Sequence, residues 1–107
     1  MVNPFAGEVA LVIDGERRVL KLTLGALAEL EDFLGAGSLV ELVERFEGAR
    51  YSARDVLALL LAGLRGGGWD GDAKTLAMAE IGGGLGEAAR VAAQLLARAF
   101  AMPEARQ

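Results

Sequence analysis

The run Val56-Leu57-Ala58-Leu59-Leu60-Leu61-Ala62-Gly63-Leu64 decides how this chain must fold. It carries no charge, and as a helix it is apolar on every side, so it must be covered all round and stand at the centre of the fold. Ser52 followed by Asp55 has the spacing of a helix-capping pair and marks its start. Gly66-Gly67-Gly68 breaks it. The run is far short of the ~20 apolar residues that cross a bilayer, so it reads as a core helix and no membrane partner is expected.

Working outward, Leu27, Leu30 and Leu34 form the apolar stripe of a helix that begins at Leu24 or Gly25. Thr23 is its expected cap, Phe33 lies beside the stripe, and Gly35 and Gly37 end it. Ser38 with Glu41 opens a second helix, in which Leu39, Leu42, Val43 and Phe46 recur at i, i+3, i+4 and i+7 until Gly48. Beyond the central helix, Asp72 caps a short helix expected over 73–81, marked by Leu76, Ala77 and Met78. A second glycine cluster at 82–84 precedes a last helix that runs to Met102-Pro103. Its expected stripe is Leu85, Ala88, Ala89, Ala92, Leu95, Leu96, Ala99 and Phe100.

Ahead of all the helices, residues 7–24 read as a β-hairpin. Asp14-Gly15 is a strong turn dipeptide, because hairpin turns demand positive φ. Val9, Leu11 and Ile13 share one face of the first arm, and Leu20, Leu22 and Leu24 one face of the second. A two-residue loop would set Leu11 opposite Arg18. A four-residue loop over 14–17 sets Leu11 opposite Leu20 and Val9 opposite Leu22, and apolar pairing favours it. Two strands cannot bury both faces, so the hairpin must lie on the helices, with its outer edges open to pairing with another chain. The expected fold is therefore α+β, mainly α: an N-terminal β-hairpin packed on a bundle of about five helices. Residues 1–107 suit one domain, with 1–6 and 103–107 as flexible ends.

The composition narrows function mainly by exclusion. The chain has no cysteine and no histidine, which removes thiol nucleophiles, disulfides, the neutral-pH proton carrier and the commonest metal ligand together. A net charge of −4 with scattered Lys and Arg is the wrong sign for a nucleic-acid binder. Glu8 and Asp14 interrupt any basic-then-apolar leader, so a cytoplasmic protein is the simplest expectation.

No motif assembles chemistry. Neither glycine cluster has the spacing or the Gly-Lys-Ser/Thr ending of a phosphate loop, so both read as helix stops and joints. Counting from Asp70, a calcium loop would need oxygen ligands at Lys74 and Ile81 and glycine at Thr75, and fails. Glu41, Glu44 and Glu47 share a helix, but nothing supplies the buried environment that separates carboxylate pKa values, so they read as a solvated face. No catalytic, cofactor-binding or metal-binding residue is assigned and no cofactor is expected. Trp69, in a glycine-flanked loop, either fills the core or anchors a partner, and core use is the commoner role. Phe100 and Met102 pose the same question, and these three are the candidate protein-contacting residues.

The order of features adds a resemblance. Asn3-Pro4-Phe5-Ala6-Gly7-Glu8-Val9-Ala10-Leu11, the Asp14-Gly15 turn and Leu22-Thr23-Leu24-Gly25-Ala26-Leu27-Ala28-Glu29-Leu30-Glu31 resemble the small tail protein of gene transfer agents, phage-like particles encoded in α-proteobacterial genomes. Tyr51-Ser52-Ala53-Arg54-Asp55-Val56-Leu57 and Ala62-Gly63-Leu64-Arg65-Gly66-Gly67-Gly68 continue it at the same distance downstream. That family has been described both as a tail-tube protein and as a tail assembly chaperone. The resemblance implies work in building a siphophage-like tail, without an enzyme's chemistry. Its expected partners are the tape-measure and tail-tube proteins, with self-association left open. One hairpin among five helices is little β structure for a tube subunit, so the chaperone label fits the residues better. The alternatives are a tail component retained in the particle and an unrelated protein-binding adaptor.

Overall fold

A computed structural model describes residues 7–34 and 38–100. Strands β1 (Val9–Ile13) and β2 (Glu16–Leu20) form an antiparallel hairpin. Helices α1 (Leu24–Leu34), α2 (Ser38–Glu47), α3 (Ala53–Gly66), α4 (Ala73–Ala77) and α5 (Gly84–Ala99) follow, so the architecture is α+β and mainly helical, as its sequence implies. The stops at Gly35 and Gly37, the Ser38 side-chain cap, and the stretches 1–6 and 103–107 lie outside the described residues.

Helix α3 is the centre: α1, α4, α5 and β2 all pack on it, and Leu59 and Leu64 are completely buried. Its first turn is a full capping box. The Asp55 N–H donates to Ser52 Oγ at 3.1 Å, and the Ser52 N–H donates to Asp55 Oδ2 at 2.9 Å. Arg45, near the end of α2, grips the same carboxylate through Nε to Oδ2 and Nη2 to Oδ1, each at 2.9 Å. Asp55 is only 5% exposed. Burial alone would push its pKa up, but the hydrogen bonds from Arg45 and Ser52 outweigh it and hold the carboxyl below its ordinary value. The stacked rings of Phe46 and Tyr51, with centroids 4.4 Å apart, close the same corner.

At the other end of α3 the glycines permit close contact with the hairpin. A Cβ on Gly66 would overlap the Lys21 carbonyl oxygen, and one on Gly67 the Val19 carbonyl oxygen. The Lys21 N–H donates to the Gly63 carbonyl at 2.9 Å. Helix α1 starts as expected, with the Ala26 N–H on Thr23 Oγ1 at 3.0 Å and Leu30 in the core.

Four expectations need correction. The hairpin loop is two residues, not four: Leu11 faces Arg18 and Val9 faces Leu20. Asp14 (φ 51) and Gly15 (φ 81) both take the left-handed conformation, whose twist matches that of the strands. Leu11 and Ile13 find their apolar cover among the helices, since β1 packs on α5, and need none across the strand. Second, each sheet edge is met over part of its length by the same chain, so it is less open than expected. On β1, Ile81 forms an antiparallel bridge with Ile13, with Asp14 N–H on Glu80 O at 2.8 Å and Gly82 N–H on Val12 O at 2.9 Å. The glycine end of α3 lies along β2.

Third, α4 stops at Ala77 instead of Ile81, because residues 80–82 are drawn out to extend the sheet. Leu76 is buried, but Met78 is 82% exposed. Fourth, the buried stripe of α5 is Ala88, Val91, Ala92, Leu95 and Leu96. Leu85, expected in that stripe, is 85% exposed.

Candidate functional site

The residues that looked like motifs serve the fold. The Gly82 and Gly84 N–H groups donate to the carbonyls of Val12 and Ile81, so this glycine cluster joins the sheet to α5. Asp72 caps α4 by accepting from the Thr75 N–H at 2.8 Å, which holds its pKa below the ordinary value. Glu41, Glu44 and Glu47 are exposed along α2. Among the described residues there is no group of acidic side chains placed to hold a metal ion.

What the surface does carry is clefts. Trp69 is half-buried against the core, with its indole stacked so closely over Gly71 that a Cβ there would overlap the ring. It lines a mixed polar cleft of about 420 Å³ between the start of α1 and the end of α3. The Arg65 Nε to Glu29 Oε1 ion pair, at 3.0 Å, belongs to the same cleft. Trp69 therefore has a structural task, with one side left on a surface cleft.

Phe100 lies elsewhere. It is 46% exposed and ends a groove of about 340 Å³ between α2 and α5, lined by Val43, Phe46 and Glu47 on one side and Ala93, Leu96 and Ala97 on the other. A further apolar groove, of about 260 Å³, lies among α3, α4 and α5, where Val56, Leu57, Leu60, Leu76 and Ile81 meet the exposed Leu85. Trp69 and Phe100 thus line different clefts, and Met102 lies outside the described residues.

Sequence reasoning passed over Val43, Ala93 and Ala97 as surface contributors. The available signal was Val40 and Val43, three apart on the side of α2 away from Leu42, together with Ala93 and Ala97 one turn apart on α5.

The family described as phage tail tube protein, GTA-gp10, matches residues 6–102. The chain belongs to that family. A search of the curated proteins and one of the solved structures returned no match. Membership bears out the resemblance to the gene transfer agent tail protein and gives this GTA-gp10 family member a tail-related role. The family is one of phage-tail proteins and not an enzyme class. Among the described residues no helix of this family member is long and apolar enough to cross a membrane.

Proposed function

We propose that this GTA-gp10 family protein is a tail assembly chaperone: a non-enzymatic, cytoplasmic domain that binds the tape-measure and tail-tube proteins while the tail is built. The observation that carries the proposal is the state of its sheet. A tube subunit closes a ring by pairing strands with its neighbours, which requires several strands and free edges. The described sheet here has two strands, with a bridge from Ile81 on one side and the end of α3 on the other. The apolar lining of the groove between α2 and α5 offers a seat for a helix from another protein.

Co-expression with the neighbouring tail genes, followed by affinity capture, tests this. Capture of the tape-measure protein, with at most traces of the chain in purified particles by mass spectrometry, is the expected result. The family's description as a tail tube protein favours a second reading, a subunit retained in the particle. Stoichiometric recovery from particles would establish that reading and end the chaperone assignment.

A further inference from the structure

The groove between α2 and α5 is asymmetric in a way that selects its occupant. Its floor is apolar, formed by Val43, Phe46 and Leu96. The α5 wall presents Ala93 and Ala97, both exposed and one helical turn apart, so a second helix can come close there. The α2 wall carries Glu47, with Glu44 beside it one turn earlier, and both carboxylates are exposed and outside any ion pair among the described residues. Val40, 68% exposed, extends the apolar line along α2.

Just past α2, the exposed Arg50 folds back over Gly48 next to Glu47 and leaves Glu44 to carry the rest of the rim, while the basic residues of the two helices are engaged elsewhere. Arg45 is bound to Asp55, Arg90 to Glu87, and Arg98 reaches the Glu8 carbonyl at 3.1 Å. The seven-residue span from Ala93 to Phe100 is ~10 Å at 1.5 Å per residue, about two turns of a partner helix.

We infer that this groove seats a basic amphipathic helix, one with an apolar stripe flanked by Lys or Arg on the side that meets α2. Apolar contact supplies the seat, and the acidic rim fixes which helix is taken and which way it faces. In the chaperone reading, on which the identity of the natural partner rests, that helix belongs to the tape-measure protein.

The test uses two synthetic helical peptides with the same Leu/Ala stripe, one flanked by Lys and one by Glu, followed by fluorescence anisotropy. The full chain is expected to bind the Lys peptide about tenfold more tightly than the Glu peptide, and the gap should close as salt rises. Ala97→Arg, an exposed position where Arg is a good helix former, should weaken the Lys peptide at least tenfold. The Glu44→Lys/Glu47→Lys pair should reverse the preference between peptides. Met78→Gln, at an exposed position that lines neither groove, should leave binding unchanged, and circular dichroism melts check that each variant is folded. Equal affinity for the two peptides, or full binding by folded Ala97→Arg, overturns the inference. An array of tape-measure peptides separates the two readings. If the chain binds the Lys probe but no tape-measure peptide, the groove stands and the chaperone role fails. If wild type and Ala97→Arg capture the same tape-measure peptides equally, the chaperone role stands and the groove is wrong.

Discussion

Asp55 has two tasks at once, capping α3 and holding Arg45, and only the first is visible in the chain as written. Ser52 and Asp55 are three apart, a spacing set by local backbone geometry. Arg45 comes ten residues earlier, and its approach depends on the chain reversing at Ala49, a non-glycine residue at φ 55. Replacing Asp55 by Ala removes the reciprocal cap and strands a partly buried guanidinium, at a cost of about 2–4 kcal/mol in urea unfolding at pH 7. The folded pKa of Asp55 is depressed, so its contribution is complete above the unfolded carboxyl value and is lost as pH falls through the folded one. The gap between wild type and Asp55→Ala should therefore narrow steadily in acid, and a gap independent of pH would show that the charge is irrelevant. Gly66→Ala tests the other end of α3. The added methyl meets the Lys21 carbonyl, and the melting midpoint should drop by the equivalent of about 1–3 kcal/mol.

At the scale of elements, the hairpin register and the end of α4 depart from the local pattern for related reasons. A longer loop would pair Leu11 with Leu20, but strands need apolar cover only somewhere, and α5 provides it for β1. With that constraint lifted, the Asp14-Gly15 turn decides the register. The same turn holds the segment after α4, since the Asp14 carboxylate accepts the Glu80 N–H at 2.8 Å. Leu76, Ala77 and Met78 look helical for as long as nothing competes for Ile81, and β1 does compete. Asp14→Ala should thus act on two elements together, raising the cost of the left-handed turn and freeing residue 80, for about 1–2 kcal/mol. Hydrogen exchange should then quicken at Gly82, whose N–H reports the bridge; unchanged exchange there would uncouple the turn from it.

For the whole molecule, a two-stranded sheet met by its own chain at Val12–Asp14 and at Val19–Lys21 offers only short stretches of edge for pairing with another copy. Purified protein at high concentration should form no tubes in negative-stain electron microscopy, and tubes would speak for a structural subunit. The sequence by itself determined the helical class, the central place of α3, its Ser52 start and glycine stop, and the hairpin with its turn. Each of these follows from residues close along the chain, where period, capping and turn chemistry act over a few bonds. Family membership was legible there too, carried by the Leu22-to-Glu31 run and the segments around α3. The tertiary structure alone decided that α5 covers β1, the Ile13–Ile81 bridge, the Arg45–Asp55 pair and the α2–α5 groove. These depend on which distant segments compete for the same hydrogen bonds and apolar cover. That competition is settled by packing, because burial is non-directional and does not specify which neighbour supplies it.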